Sequence, residues 1–537
     1  MKQIISAVLL VLSIGTFHAQ TKTTKVQVVD GPENDSKRSS VLGFFGYDNT
    51  GYYTLRTEKK NTLVEHLNQK MEVDKSIPME KLTIGKTKLG FHSAQQIGDN
   101  LYFFYIQYDS RAKTSTLYAK KINKKTLLTE GELINVKSTK FESRRGLMQT
   151  AVYGAYGSFA LIKSTNEQEL LLISKDIDQN SDGNSLNMVM TVFNSDLKEM
   201  WETDYKPKFA GDRFSFTSFE LDELGNITLI GIEYEEKSTA RASKRAGKPS
   251  YQHYLVRFTD KGKDVDQTRI DLTGKFITDL KIATAPSGDL VVAGFYSEKG
   301  SFSIKGSFYM RLDPANLSVK AEKISEFDTE FITMNMTDRE EKKAKKKEAK
   351  GEELEMNEFD MRSLLIAEDG SATLVAEQFI FYVTTHTTYS NGRATTYSVY
   401  HYLYNDIICV AFNAEGALKW KCKIPKRQHT TNDGGYYSSY SMAVVGSKIY
   451  FVFNDNPKNL FLPKDEAPYN FSGSKDIAVV VVEVDDKGNT TKELLFASER
   501  GDALVRPKIS LQTAEDEMVI CSQRSRIFQF SKLTFKK

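Results

Sequence analysis

Short alternating or wholly apolar segments recur along the chain, and each follows a turn rich in Asp, Asn or Gly. Alternation with period two is typical of β-strands, and such turns connect strands. These turn–strand units begin at Asn49, Gly98, Tyr156, Asp222, Ser287, Asp369, Gly446 and Glu515. Repetition of one strand unit at this spacing predicts a β-propeller, whose blades bury their faces against neighbouring blades.

A second pattern follows each unit: an apolar strand, a polar turn and a charged strand, as in the segments that begin at Tyr254 and Val480. We interpret these as the third and outermost strands of a blade, because charges on an exposed edge discourage aggregation. The last blade has no segment left for its outermost strand, and residues 25–29 are the only free strand. We therefore predict an all-β single propeller of eight four-stranded blades, or alternatively seven, closed by N- and C-terminal strands.

Residues 1–20 have the pattern of a signal peptide, with Lys2, an apolar run over 4–15 and a small-residue exit near Ala19. A retained N-terminal anchor is the alternative. No cysteine lies at the cleavage point to accept a lipid, and no later segment reaches the about 18 apolar residues of a membrane span. We expect residues 21–537 to form the propeller domain, without membrane insertion after signal removal, in the periplasm, at the cell surface or secreted.

Charge and cysteine content exclude some partners and constraints. The 73 basic and 70 acidic residues leave a net charge of +3, which favours no nucleic acid partner. Three cysteines cannot form a disulfide framework. Cys409 and Cys422 fall on adjoining strands of one predicted hairpin, where a bridge is possible but two buried free thiols are favoured, and Cys521 is expected in the core. We expect a monomer.

Three insertions interrupt the repeat. Residues 237–250 are basic and rich in small residues, which predicts a flexible loop. Residues 338–360 hold seven basic and nine acidic residues, which indicates a solvated helix or disordered loop, with a partner-docking helix as the alternative.

The third insertion is a long hairpin, 379–404, that turns at Asn391-Gly392, a strong type I′ signal. The turn fixes the predicted cross-strand pairs: Phe381 with Tyr402, Val383 with Tyr400, Tyr382 with His401, and His386 with Tyr397. Arms of about twelve residues are twice the usual strand length, so the tip should project beyond the ring.

One acidic segment resembles the opening of a calcium loop. Asp178, Asn180 and Asp182 alternate before Gly183, with Asp176 just upstream, and hard cations prefer such oxygen ligands. The closing carboxylate of such loops is missing, because that position is Val189. Calcium is therefore the one cofactor that the sequence suggests, and an ordinary polar loop is the alternative.

Motifs of known enzymes are missing: there is no nucleophile elbow, zinc-binding helix or phosphate loop, and His66, His92 and His253 stand isolated. No catalytic residue is therefore predicted. Amide, carboxylate, Arg and Tyr groups cluster instead after the long hairpin, a composition typical of glycan or peptide recognition. The candidate ligand-binding residues are Arg427, Asn432, Asp433, Tyr436, Tyr437, Asn454 and Asp455. Turn formation and packing on sheets are the structural alternative for each of them.

Four segments of this region resemble exported β-propeller proteins of Bacteroidota. They are Tyr-Asn-Asp-Ile from Tyr404, Ile-Pro-Lys-Arg from Ile424, Asn-Asp-Gly-Gly-Tyr-Tyr-Ser-Ser-Tyr from Asn432 and Phe-Asn-Asp-Asn-Pro-Lys-Asn-Leu from Phe453. The resemblance is specific in the C-terminal third. It implies export across the inner membrane, and it supplies neither an assigned activity nor a catalytic residue.

Two function classes stay open at this point. The leading hypothesis is a non-enzymatic binding or scaffold propeller that recognises an envelope protein or glycan through a Tyr/Asn-rich rim. The alternative is a propeller hydrolase or lyase that acts on glycans, with acid and base groups from Asp406, Asp433, Asp455 and His429. Such an enzyme should hold two carboxylates in one funnel.

Overall fold

Period-two strands dominate the computed structural model, as the sequence predicts. The structure describes residues 23–35, 38–140, 159–176, 187–206, 213–245, 249–299, 303–357, 359–390, 393–463, 466–473, 477–498, 504–524 and 526–537. The calcium candidates Asp178, Asn180 and Asp182 lie outside these residues, and Asp176 is the last residue of its strand.

The strands are numbered in chain order. Those of the N-terminal half are β1 (Val26–Asp30), β2 (Asn34–Asp35), β3 (Ser39–Asp48), β4 (Gly51–Glu58), β5 (Asn61–Asn68), β6 (Val73–Pro78), β7 (Thr83–Ile84), β8 (Thr87–Lys88), β9 (Gly90–Ile97), β10 (Asn100–Asp109), β11 (Thr114–Ile122), β12 (Thr129–Lys140), β13 (Phe159–Lys163), β14 (Glu169–Asp176), β15 (Asn187–Asn194), β16 (Glu199–Tyr205), β17 (Phe214–Leu221), β18 (Ile227–Tyr234), β19 (Tyr251–Thr259) and β20 (Asp264–Ile270).

Those of the C-terminal half are β21 (Phe276–Thr284), β22 (Leu290–Ser297), β23 (Gly306–Leu312), β24 (Val319–Glu326), β25 (Asp360–Ile366), β26 (Ala372–Ser390), β27 (Arg393–Phe412), β28 (Leu418–Ile424), β29 (Gln428–Thr431), β30 (Ser441–Val445), β31 (Lys448–Asp455), β32 (Ile477–Val484), β33 (Thr490–Ser498), β34 (Leu504–Ala514), β35 (Glu517–Arg524) and β36 (Ile527–Phe535). The helices are α1 (Lys237–Arg245), α2 (Thr329–Thr333), α3 (Asp338–Glu348) and a 3₁₀ turn, Pro457–Phe461.

Consecutive strands pair in antiparallel sheets of four. Within the described residues these are β3–β6, β9–β12, β13–β16, β17–β20, β21–β24, β25–β28 and β30–β33, to which we refer as sheets 1 to 7. Sheet 8 has the order β34-β35-β36-β1, so that its fourth strand comes from the other end of the chain. The short strand β29 extends sheet 6 by pairing with β27, and the short strand β2 extends sheet 8 by pairing with β36. Strands β7 and β8 pair with each other.

Apolar clusters join each sheet to the next. Tyr53 of sheet 1 packs with Phe103 of sheet 2, and the clusters between the following sheets are built in the same way. A further cluster joins sheet 8 to sheet 1, where Val519 and Phe530 pack with Val41. Such four-stranded sheets, each packed face to face on its neighbours, define the fold as a β-propeller.

Strand β1 carries the N-terminal end of the described chain onto sheet 8. Val26 lies opposite Phe535, and four further residue pairs follow along β36. Val26 is buried in the cluster between sheets 7 and 8, and Lys25 forms an ion pair of 2.7 Å with Glu483. Apolar burial and one ion pair therefore hold this segment in addition to the strand hydrogen bonds.

Two insertions are helical. The prediction of a flexible loop at 237–250 is wrong in part, because α1 occupies Lys237–Arg245, whose Ala, Lys and Arg residues are good helix formers. The charged insertion forms α3, so the helix alternative is correct for its first half. A capping box starts this helix, in which Thr337 and Glu340 satisfy each other's backbone amide groups.

The cysteine prediction is confirmed: Cys409 and Cys422 lie opposite each other on β27 and β28 as buried free thiols, and Cys521 is buried in the core. In the part of the chain that the structure describes, no helix has the length and hydrophobicity needed to cross a bilayer.

The sheet topology gives the molecule two faces. The turns between first and second strands and between third and fourth strands lie on one side, which we call the turn face. The hairpins between second and third strands, and the connections from one sheet to the next, lie on the other side, which we call the hairpin face. The long hairpin, α3 and the segment 427–437 all belong to the hairpin face.

Candidate functional site

The long hairpin has the predicted register. Phe381 pairs with Tyr402, Tyr382 with His401, Val383 with Tyr400 and His386 with Tyr397, and the pairing continues to Ser390 and Arg393. We call residues 381–400 the arm. Among the described residues, no strand other than β27 pairs with the Phe379–Ser390 part of β26, so that edge of the arm is open.

Both surfaces of the arm expose aromatic or large apolar side chains. Phe381, Val383 and Tyr400 share one surface, and Tyr382 and Tyr397 share the other. Each of them is 40–50% exposed, and together they are five of the fifteen large hydrophobic side chains that the described residues expose. A sheet with a core on one side alternates apolar and polar surfaces, so among the described residues this arm covers no core of its own chain.

Side-chain contacts fix the base of the arm. Strand β29 pairs with His401–Tyr404 of β27 as a third strand. Nδ1 of His401 lies 3.0 Å from Nε2 of His429, and Nε2 of His401 lies 2.9 Å from the Thr384 hydroxyl. Burial and the neighbouring His401 lower the pKa of His429. Side-chain contacts thus fix the base, while the described part of the arm beyond it, up to Ser390 and Arg393, is a two-stranded ribbon.

The predicted binding segment 427–437 connects the arm to the rest of the hairpin face. Arg427 forms an ion pair of 3.3 Å with Glu340 of α3. The side-chain oxygen of Asn432 accepts a hydrogen bond of 2.9 Å from the Tyr400 backbone N–H, and the Asn432 backbone N–H donates one of 2.9 Å to the Tyr400 carbonyl oxygen. Burial alone would raise the pKa of Glu340, but hydrogen bonds from Thr337 and the Arg427 charge outweigh it and lower that pKa. These contacts place α3, the segment and the arm side by side.

The remaining predicted residues of this segment are partly buried. Asp433 accepts hydrogen bonds from the Thr430 hydroxyl and the Gly435 amide, which makes it the anchor of a turn. The Tyr436 ring lies 3.8 Å from the guanidinium of Arg506, and its hydroxyl contacts Ser40 of sheet 1. Tyr437 packs edge-on against Tyr436.

Asn454 and Asp455 are fully buried, which corrects their assignment as ligand contacts. The Asn454 amide donates to the carbonyl oxygens of Tyr437 and Val505 at 2.8 and 2.7 Å. Asp455 forms an ion pair of 3.0 Å with Lys492 and accepts from the Asn459 amide. Since no part of either side chain reaches solvent, their role is to join sheets 7 and 8 and the loops between them.

The acid and base groups of the alternative hypothesis do not share a funnel on this face. Asp455 is buried against Lys492, and Asp433 holds a turn. Asp406 accepts from the Lys426 amide at 3.1 Å, and burial raises its pKa. His429 contacts another histidine rather than a carboxylate. These four groups therefore do not supply the pair of carboxylates that glycoside hydrolysis needs.

A buried polar cluster beneath the arm was not anticipated from the sequence. Glu377 and Lys426 are both fully buried and form an ion pair of 2.8 Å, and Glu377 also binds Arg362 at 3.1 Å and the Ser439 hydroxyl at 2.7 Å. Burial lowers the pKa of Lys426. The one sequence feature that could have indicated this cluster is Glu377, an acidic residue within the apolar run of β26. Because an unpaired buried charge is costly, this cluster fixes the base of the arm to the segment that follows β28.

His66 is not isolated, contrary to the interpretation of the sequence. Its ring lies between Asp74 of β6 and Thr50 in the turn from β3 to β4. These residues line a cavity on the turn face, opposite the arm.

The four-stranded sheets and their packing define the class of the fold, the β-propellers. No protein-family model matches the sequence, and no curated protein is significantly similar to it.

Solved structures with a similar fold include a prolyl endopeptidase, at 9% identity and a TM-score of 0.41 over 91% of this chain and 55% of that one. Others are polysaccharide lyase Uly1 (10%, TM-score 0.36, 85% and 94%) and the β-propeller domain of the Trilobed protease from Pyrococcus furiosus (8%, TM-score 0.34, 87% and 98%). This chain spans about half the length of the endopeptidase. At these identities the similarity concerns the fold alone.

Proposed function

We propose that this protein is an exported binding or scaffold propeller of the bacterial envelope that recognises a protein or a glycan through the arm. The observation that carries the proposal is the exposure of aromatic side chains on both surfaces of a projecting, register-fixed hairpin. Tyr and Phe provide large contact areas with few rotatable bonds, and they are enriched where binding energy is concentrated.

The architecture proposed for this function is a closed ring of eight blades, in which β1 (Val26–Asp30) completes the last blade. The pairing of β1 with β36 and the apolar cluster between sheets 8 and 1 support it. A closed ring is a rigid platform for the arm, because each blade is packed on two sides. Export, with removal of residues 1–20, and the periplasmic, surface or secreted location belong to the same proposal.

The arm is suited to a partner that supplies a strand or a flat apolar surface. Its open edge along Phe379–Ser390 offers unpaired backbone groups, and strands can be added to such an edge. Arg427 and the exposed amide of Asn432 lie beside its base and provide directional polar contacts at the border of the aromatic surface.

The test compares capture by three forms of the protein produced in its own cell type. The arm variant carries Tyr397→Ser and Tyr400→Ser, which removes one exposed ring from each surface of the arm. The matched control carries Leu224→Ser and Phe461→Ser, the two most exposed large hydrophobics outside the arm, at 87% and 88%. Each mature form, recovered from the envelope fraction without residues 1–20, is cross-linked there, and retained proteins and glycans are quantified.

We expect the amount of partner retained by the arm variant to fall at least tenfold, while its circular dichroism spectrum and melting temperature stay unchanged. The control should retain the partner. Equal capture by all three forms would place the working surface elsewhere, and recovery only from the cytoplasm with residues 1–20 intact would contradict export.

Calcium binding by Asp176, Asp178, Asn180 and Asp182 remains part of the proposal as a stabilising site. Binding to the native state alone raises the melting temperature by mass action. Calorimetry with calcium and with chelator should show a shift that disappears in Asp178→Ala with Asp182→Ala. A melting temperature that ignores calcium would remove the site.

A further inference from the structure

Three adjoining cavities form a groove on the turn face, on the side of the molecule away from the arm. The outermost, of about 560 Å³, is lined by Thr50, His66, Asp74 and three lysines. It shares Asp48 and Lys124 with a second cavity of about 590 Å³, which in turn adjoins a third near the inner strands of sheets 1 to 3. A substrate in the outermost cavity therefore has room to extend along the groove.

A hydroxyl, an imidazole and a carboxylate lie in sequence along the wall of this outermost cavity. Nε2 of His66 lies 3.2 Å from the Thr50 hydroxyl oxygen, and Nδ1 of His66 lies 2.7 Å from Oδ1 of Asp74. In this order the carboxylate fixes the ring orientation and tautomer, and the free nitrogen faces the hydroxyl as a base. The His66 side chain is 12% exposed, and that of Asp74 is 43% exposed.

Local strand geometry creates this alignment. Tyr53 pairs with His66 across β4 and β5, which brings His66 beside the turn that contains Thr50. On the other side His66 pairs with Lys75 while Leu67 pairs with Val73, so Asp74 is the extra residue of a β-bulge. Bulges redirect a side chain out of the regular alternation, and here the redirected side chain meets the imidazole.

A second carboxylate holds Thr50 in place. Asp48 accepts from the Thr50 amide at 2.8 Å and from its hydroxyl at 2.5 Å, and it also contacts the Tyr53 hydroxyl and Lys124. Burial would raise the pKa of Asp48, but these contacts outweigh it and lower the pKa to about 2. The Thr50 hydroxyl hydrogen can turn from Asp48 to His66 by rotation about one bond, without movement of heavy atoms.

The charges in the cavity favour a negatively charged substrate. Asp74 and Asp48 are engaged by His66 and by Lys124, respectively. Lys75 and Lys125 add two further positive charges, and the Lys75 ammonium donates to the Lys125 carbonyl oxygen at 2.6 Å, which holds the two residues together. An anionic group on the substrate would therefore be attracted to the side of the cavity that these lysines form.

We propose that Thr50 and His66, with Asp74 as the positioning residue, form a hydrolytic site for carboxylic esters that carry a negative charge. The Thr50 oxygen attacks the ester carbonyl and its proton passes to Nε2 of His66. The bond from the carbonyl carbon to the alcohol oxygen breaks, and the alcohol leaves with that proton. Water then attacks the acyl group on Thr50, His66 takes a proton from the water and returns it to Thr50, and the carboxylic acid leaves.

The chain contains its own matched comparison on the other face. The Thr384 hydroxyl also lies 2.9 Å from a histidine nitrogen, that of His401. The other nitrogen of His401 faces His429 rather than a carboxylate, and no cavity of the turn-face groove includes it. Of these two hydroxyl–imidazole contacts, only that of Thr50 with His66 is accompanied by a carboxylate, a bulge and a lysine-lined cavity.

The test measures hydrolysis of 4-nitrophenyl acetate and of the anionic 4-nitrophenyl hemisuccinate by the mature full-length protein. Thr50→Ala and His66→Gln should each lose 100-fold or more of the rate above buffer. Thr50→Ser should retain activity, and Asp74→Asn should lower kcat with KM unchanged. Lys125→Ala should raise KM for the hemisuccinate and leave KM for the acetate unchanged. Leu224→Ser, at an exposed residue that lines none of the three cavities, should behave as the unmodified protein.

Mass spectrometry after mixing with the hemisuccinate should show the acyl group on Thr50. Absence of turnover above buffer with both esters would overturn the proposal, as would activity that survives Thr50→Ala or an acyl group found only on lysines. Melting temperatures of all variants are compared, and if Thr50→Ala unfolds the chain, Thr50→Ser and His66→Gln still decide. The site is on the face opposite the arm, so its failure and that of partner capture are independent.

Discussion

Buried polar side chains hold this protein together where its strands end. The side-chain amide of Asn454 donates to carbonyl oxygens of two different segments. The side-chain amide of Gln428, also buried, donates to the backbone carbonyl oxygen of Asn454 at 2.8 Å. Each such contact covers backbone groups that loops would otherwise leave unpaired inside the molecule. Sequence alone does not separate these residues from ligand contacts, because the same amides and carboxylates serve both purposes.

His253 should make stability depend on acidity. It is 4% exposed on β19, and burial lowers its pKa to about 4. Protonation of His253 therefore favours the unfolded chain, in which this side chain titrates near 6.5. The free energy of unfolding is therefore undiminished by His253 above that pH and declines as the pH falls towards 4. The loss should reach about 3 kcal/mol by pH 4.

Urea unfolding of the unmodified protein and of His253→Gln at pH 7.5 and pH 4 isolates this contribution, since carboxyl groups titrate alike in both. The fall in unfolding free energy between the two pH values should be smaller in the variant. Equal falls in both proteins would contradict the assignment of acid sensitivity to His253.

At the scale of elements, local chemistry explains what the sequence predicted correctly. The Asn391-Gly392 turn and period-two alternation fix the register of β26 with β27 within one hairpin, so the pairing of Tyr382 with His401 follows from neighbours in sequence. The charged outermost strands are predictable for the same reason, since β24 is mostly exposed along its length. Such features need no knowledge of distant contacts.

Elements that depend on a residue just outside a segment, or on a distant segment, were not predictable in the same way. The composition of 338–360 is compatible with a helix and with a loop, whereas the capping residue Thr337, one position before this segment, favours a helix. The bulge that brings Asp74 to His66 depends on pairing of β5 with β6, and its sequence contains no Gly to mark it. The buried pair Glu377–Lys426 joins residues 49 positions apart.

At the scale of the whole molecule, the core is divided among the spaces between sheets. Each apolar cluster belongs to two neighbouring sheets, as Val479 and Val505 do for sheets 7 and 8. Stability in such an arrangement is approximately a sum of nearest-neighbour interfaces, so weakening one interface reduces the support of both sheets that form it. The strand that completes sheet 8 therefore matters more than its five residues suggest.

In the closed ring that we propose, removal of residues 21–30 should open the fold at sheet 8. The deletion removes all five residue pairs of β1 with β36 and the buried Val26, so β36 becomes an exposed edge strand that can pair with other chains. We expect a melting temperature lower by several degrees, together with concentration-dependent association in light scattering. A deletion of residues 21–24 is the matched control, because it removes the Thr23 and Thr24 contacts to Glu493 and leaves β1 and the Lys25–Glu483 ion pair in place. If both deletion variants have the melting temperature and light scattering of the unmodified protein, the terminal strand does not close the ring.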